Sequence, residues 1–163
     1  MRSSERPYCP DCDSPLKVIG SRKRMIRKAD GESHTLIIRR LWCGECGRVH
    51  HELPDAVVPY KRYDAETIEE VLSPKDNSPS FPCETSTASR LRIWFLLLRG
   101  YFEGTLRALR FLYRRDQDLH EKLSGLIPLD PGTMENGWLK CLVRVIVNSG
   151  RWKQTRSAFP VHK

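Results

Sequence analysis

The sequence predicts an α+β protein: a small cysteine-bracketed β unit at the N-terminus, followed by a mostly α-helical, helix-turn-helix-like domain. Three observations carry this. Two Cys-x-x-Cys pairs enclose short segments rich in β-branched residues. Beyond residue 86, apolar residues recur at helical spacing. Between these regions lie two proline-containing stretches that neither helix nor central strand tolerates.

In the first region, Leu16–Ile19, Lys23–Lys28 and Thr35–Trp42 read as strands, with Asp30-Gly31 as a tight turn between the last two. Residues 1–53 form the first predicted unit. Residues 54–63 (PDAVVPYKRY) hold two prolines and end in a basic-aromatic cluster, as an extended connector does. Residues 64–163 form the second unit. Asp64 caps a short helix, Ala65–Leu72, and residues 73–85 make a proline-rich loop. Ser86 or Thr87 caps a long helix running to about Arg115. Its buried stripe is Leu91, Trp94, Leu98, Tyr101 or Phe102, Leu106, Leu109 and Leu112. Arg92, Arg99, Arg107 and Arg110 share another side. A further element lies near Gln117–Leu126, and Trp138–Ser149 reads as a final helix closed by Gly150, although its VRVIV core also suits a strand. A basic tail, Arg151–Lys163, carries Trp152 and Phe159.

The cysteine pattern is the most specific signal. Cys9-Pro-Asp-Cys12 and Cys43-Gly-Glu-Cys46-Gly47 are separated by thirty residues. Four thiolates complete a tetrahedral Zn2+ shell, and two residues between each pair let both sulfurs face one ion. Gly47 suits the positive φ of a metal knuckle. Iron takes the same ligands, but the long basic insert does not read as an electron-transfer site. The expectation is one structural zinc ion on Cys9, Cys12, Cys43 and Cys46, substituting for a core that some fifty residues cannot build. His50 and His51 follow closely and read as packing or partner-contact groups. Cys83 and Cys141 read as ordinary free thiols.

The net charge is +8. Residues 1–63 hold 13 basic and 8 acidic side chains, residues 64–88 hold 1 and 6, and residues 89–163 hold 14 and 6. This balance favours a polyanionic partner. The helix opening ETSTASRLRIWF suits a recognition helix, with Ser86, Thr87, Arg90 and Arg92 towards bases or phosphates. Arg22, Lys23, Arg24, Arg27, Lys28, Lys61, Arg62, Arg151 and Lys153 are the expected phosphate contacts. Double-stranded DNA is the expected partner. One alternative is a protein-interaction adaptor whose ribbon surface centres on His50, His51 and the Pro-rich connector and whose apolar helix, Ile93–Leu98, is a dimer or partner face, with Ile93, Phe95 and Leu97 meeting the partner in a homodimer. A second is RNA binding, with Trp152 stacking on an unpaired base.

The string CPDC…RRLWCGECGRVHHELPDAVVPYKRY, with ETSTASRLRIWF and VNSGRWKQTRSAF downstream, resembles a bacterial family of unknown function (DUF family 6431) over nearly the whole chain. The most specific stretches are Cys43 to Tyr63 and Asn148 to Trp152. The layout is also similar to the front end of insertion-sequence transposases, where a zinc ribbon precedes a helix-turn-helix. That resemblance implies DNA binding and a mobile-element origin. Where related sequences carry further basic residues in the recognition helix, this chain has Ser89 and Ile93.

Catalysis is not expected. Asp116, Asp118, Glu121, Asp130 and Glu135 have no strand pattern to mount them as a metal-binding carboxylate set. No phosphate-binding glycine loop occurs. The N-terminus has no apolar signal core and the longest apolar run, Ile93 to Leu98, is too short to span a bilayer, so the expected location is cytoplasmic, with no membrane partner.

Overall fold

The computed structural model describes residues 7–54, 56–73 and 84–152. Strands β1 (Leu16–Arg27), β2 (Ser33–Cys43) and β3 (Val49–His51) form one antiparallel sheet in the order β1-β2-β3. Register runs from Leu16 opposite Cys43 to Arg27 opposite Ser33. The expected turn closes this hairpin: Gly31 takes φ +83 and the Asp30 carboxylate accepts from the Glu32 N–H at 2.8 Å. The two short strands expected within residues 16–28 are one continuous strand. A bulge between Val18 and Gly20 absorbs the interruption, with Gly20 at φ +150. β3 was not legible, because three residues carry too little pattern.

The connector is not the extended segment expected: the Val57 N–H donates to the Pro54 carbonyl at 2.9 Å and the Lys61 N–H to the Val58 carbonyl at 3.2 Å, closing two turns with Tyr60 at φ +63, before its end joins the sheet. The Arg27 N–H donates to the Arg62 carbonyl at 2.8 Å, and the Asp64 N–H to the Arg27 carbonyl at 3.0 Å. Asp64 then caps helix α1 (Ala65–Leu72), its carboxylate accepting from the Thr67 N–H at 2.9 Å.

Helix α2 (Thr85–Leu112) is the axis of the helical region. It begins before the expected caps, so Ser86 and Thr87 lie inside its first turn. Glu84 occupies the cap position without a side-chain bond. It stops at Leu112, not Arg115, because residues 113–116 form the turn into α3 (Gln117–Gly125), whose first turn Asp116 caps through the Leu119 N–H at 3.0 Å. The ambiguous VRVIV segment is helical: α4 (Trp138–Asn148) buries Leu139, Leu142, Val143 and Ile146 on one face.

The core follows the α2 stripe, with Leu91, Phe95, Leu98, Phe102, Leu106 and Leu109 all buried. Trp94 and Tyr101 flank it half-buried, and Phe102 is the fully enclosed member of its pair. Leu112, expected in the stripe, is exposed, since it ends the helix beyond the packed turns. Phe95 meets Trp138 edge-to-face at 5.3 Å, and Phe102 stacks on Trp152 at 5.6 Å.

Polar side chains lock the elements together. α4 opens on Gly137 at φ +90 and has no side-chain cap of its own. The Glu69 carboxylate of α1 supplies one across the interface, accepting from the N–H groups of Gly137 (2.6 Å) and Leu139 (3.0 Å). Arg92 donates Nε to the Val71 carbonyl near the end of α1, at 3.1 Å. Glu69→Ala therefore leaves two helix-end donors unsatisfied and is expected to cost about 1–3 kcal/mol in thermal unfolding, while Glu66→Ala on the exposed face changes stability by less than about 0.5 kcal/mol.

Candidate metal centre and cationic surface

Two knuckles of the same construction meet at one end of the sheet. In the first, the Asp13 N–H donates to the Cys9 carbonyl at 2.9 Å, and Asp13 takes φ +57. In the second, the Gly47 N–H donates to the Cys43 carbonyl at 3.1 Å, and Gly47 takes φ +64. Each chain thus turns back through a left-handed residue just after its second cysteine, which aims both sulfurs inward. Gly47 was expected there. Asp13 was not, although aspartate is among the few non-glycine residues that enter this conformation readily. Arg48 ties the knuckles together, donating to the Asp11 carboxylate at 2.8 Å.

The four sulfurs of Cys9, Cys12, Cys43 and Cys46 lie within 4.8 Å of one another. The Cys9–Cys46 separation is 3.7 Å and the Cys12–Cys43 separation 3.4 Å. A tetrahedral ion with sulfurs at about 2.3 Å requires them roughly 3.8 Å apart, so the geometry is compatible with one zinc ion. The thiols are also electrostatically mismatched. Ser14 donors hold Cys12 down, to about 7, while burial and neighbouring thiols push Cys46 up to about 12. A central dication would favour the thiolate form of its sulfur ligands. His50 stands beside the cluster, its Nε2 3.4 Å from the Cys9 sulfur, and with Cys9, Asp11 and Cys46 forms a second possible donor group. Its place on β3 opposite Leu41 puts it on the sulfur side of the sheet, whereas His51 falls on the other side.

The helical region abuts this centre. Gly150, at φ +69 after α4, sits so close that a Cβ would stand 3.1 Å from the Pro10 carbonyl oxygen of the first knuckle. The Asn148–Trp152 stretch is therefore where the helices contact the ribbon.

The expected cationic contacts separate into two groups. Arg22, Lys23, Arg27, Lys28, Arg62 and Arg90 are exposed, as is Ser86, whereas Thr87 and Arg151 are half-buried. Arg24 and Lys61 are half-buried and engaged internally, and Arg92 is exposed yet bonded to a neighbouring helix. Arg24 is half-buried and donates to the carbonyls of Val58 (2.9 Å) and Lys61 (2.8 Å), fastening β1 to the connector. Arg92 bonds α1, as above. Lys61 lies 4.2 Å over the Trp94 ring, and burial pushes its ammonium down to about 8. The sequence reads Arg24 and Lys61 as surface charge because only tertiary packing decides which cations are covered. Lys153 and Cys83 lie outside the described residues, as does the tail beyond Trp152.

Two alternatives are corrected in detail. Trp152 is buried on Phe102, so it offers no face for a base. Phe95 faces the core, so an outward apolar patch on α2 consists of Ile93, Leu96 and Leu97 instead. Asp116 and Asp130 serve as local caps, accepting from the N–H groups of Leu119 and Gly132. Among the described residues no helix is long and apolar enough to cross a membrane.

Cys43→Ser is expected to abolish stoichiometric metal binding and to erase amide-exchange protection in the sheet, while Cys141→Ser, at an exposed position, leaves both unchanged. For Lys61, the neutral form is favoured in the folded state, so the unfolded chain binds more protons between about pH 8 and 10.5. Stability should therefore rise with pH across that window, and the rise contributed by this group should vanish in Lys61→Met, as chemical denaturation at several pH values would show.

Neither a curated protein nor a solved structure matches the chain. A family model described as Domain of unknown function (DUF6431) matches residues 9–91. The match takes in both knuckles, the connector, α1 and the opening turns of α2. It ends before α3 and α4, so the similarity is shorter than the near-complete coverage expected and leaves out the Asn148–Trp152 stretch. On the strength of that match, over half of its length, the chain belongs to the DUF6431 family.

Proposed function

We propose that this chain is a non-catalytic DNA-binding protein in which a structural zinc ribbon presents cationic strand residues to phosphates. The observation that carries the reading is the set Arg22, Lys23, Arg27 and Lys28 on β1 and its turn. All four are exposed, and no carboxylate forms an ion pair with them among the described residues. Cations left without acidic partners on a rigid strand pair are suited to phosphate contacts, because counterion release then drives association. A closed four-thiolate shell leaves no open position for substrate, which supports a structural ion. The exposed start of α2, with Ser86, Ser89 and Arg90, supplies a second contact surface beside the ribbon. The order ribbon, connector, short helix, long helix is the layout that supports a transposition, recombination or transcription role.

An adaptor reading is favoured by one observation: Ile93, Leu96 and Leu97 project from α2 at 56%, 70% and 61% exposure. Light scattering with and without DNA separates it from the first.

Duplex affinity should fall steeply with salt. Replacing Arg22, Lys23, Arg27 and Lys28 by Gln should flatten the log–log slope by roughly 0.9 for each phosphate that is no longer neutralised. Absence of duplex binding by the zinc-loaded protein at low salt would refute the reading.

A further inference from the structure

The face of the sheet turned away from the sulfurs carries a second, unassigned surface. Strand alternation places Trp42 and Arg40 of β2 opposite in direction to Leu41 and Cys43. Across the ladder, Trp42 sits between Lys17 and Val49, and Arg40 between Gly20 and His51. Arg22 follows two positions along β1 from Gly20, on the same face.

Around Trp42 and Arg40 this face is open, whereas Ile38, which pairs with Arg22 on the same face, is buried. Trp42 is 40% exposed and Val49 45% exposed, and Lys17, Arg22, Arg40 and His51 are exposed around them. None of Lys17, Arg22 and Arg40 has an ion-pair partner among the described residues. By contrast Arg39, which points to the other face, is held by Glu52 at 2.6 and 2.5 Å. Gly20 presents no side chain opposite Arg40, and a Cβ there would meet nothing within 4 Å, so the face is open at that point. The indole is seated firmly: a Cβ at Gly44 would lie 3.6 Å from its ring, which places Trp42 against the backbone of the second knuckle. Burial, then Arg22 and Arg40, hold the His51 imidazole below its usual range, as expected of a neutral ring set among cations.

An exposed aromatic face is of no use for a paired base, whose faces are already stacked. It suits an unpaired one, and neighbouring cations then neutralise the flanking phosphates. From Lys17 to Arg22 the strand spans roughly 15 Å, more than one internucleotide step. The ligand is therefore a strand and not a free nucleotide. We infer that this face binds single-stranded DNA, with an unpaired base stacked on Trp42 and the adjoining phosphates on Arg40, Arg22 and Lys17. The inference rests on the DNA-binding reading above and narrows its ligand to include an opened strand.

The test compares the zinc-loaded full chain with Trp42→Ala, Trp42→Phe and Arg40→Gln, using a labelled oligothymidylate and a duplex of equal length. Trp42→Ala should weaken oligothymidylate binding about tenfold or more while changing duplex affinity less than about twofold, with Trp42→Phe retaining most of the affinity. Arg40→Gln should weaken oligothymidylate binding and flatten its salt slope. Cobalt-thiolate absorption of each variant reports whether the knuckles remain intact. Equal loss on both ligands with altered cobalt spectra, or no loss at all, overturns the inference. Wild-type binding to duplex without binding to oligothymidylate overturns it and leaves the DNA-binding reading standing; binding to neither removes both.

Discussion

Convergence of four sulfurs at one end of a three-stranded sheet is the constraint from which the remaining architecture follows. Antiparallel pairing of β1 and β2 puts Leu16 opposite Cys43, so the first knuckle, just before β1, must lie beside the second, just after β2. The Arg48–Asp11 pair joins them from outside, and left-handed residues at Asp13 and Gly47 turn each backbone so that the thiols point inward. A sheet of this size has little apolar interior of its own: Ile26, Ile38, Leu41 and Val57 are its enclosed residues beside the cysteines. Binding one ion there would supply the cohesion that a larger core provides elsewhere.

The helical region is organised differently. A single 28-residue helix provides one long apolar stripe, and shorter helices close over it. Asp64 and Asp116 cap α1 and α3 locally, but the start of α4 is satisfied across an interface by Glu69 of α1, and Arg92 of α2 reaches back to α1. These cross-helix contacts depend on several helices arriving together, and so they couple the packing of α1, α2 and α4. The two regions meet at two seams. One is the connector, where Arg24 and the Arg27–Tyr63 bridge bind it to β1 and Lys61 covers Trp94. The other is Gly150 against Pro10, where an added Cβ would stand 3.1 Å from the Pro10 carbonyl oxygen and the backbone holds φ +69.

This division explains how the charge is distributed. At the seams the charged ends of Arg24 and Lys61 are engaged, by carbonyls and by an aromatic ring. Arg22, Lys23, Arg27 and Lys28 along the hairpin and Lys17 and Arg40 beside Trp42 are exposed and form no ion pair among the described residues. A chain that places cations so unevenly has separated its structural charges from those available to a ligand.

Local chemistry made much of this legible. Cysteine spacing named the four sulfurs that converge because two intervening residues have few ways to present two sulfurs to one point. Asp64 and the 3.6-residue apolar period located α1 and most of α2, since capping and periodicity act within a few residues. The Asp30-Gly31 turn was readable for the same reason. What was not readable required neighbours distant in sequence. The bulge that merged two expected strands into β1, the existence of β3, the choice of Phe102 over Tyr101 as the enclosed residue, the exposure of Leu112 and the burial of Trp152 all depend on which surfaces meet. So does the fate of Arg24, Lys61 and Arg92, whose side chains look the same in the sequence as those of Arg22 or Arg90. Residue type and spacing determined which groups exist and which local turns they make; only tertiary packing decided which charges and rings are covered, because desolvation and partnering are properties of the assembled interior.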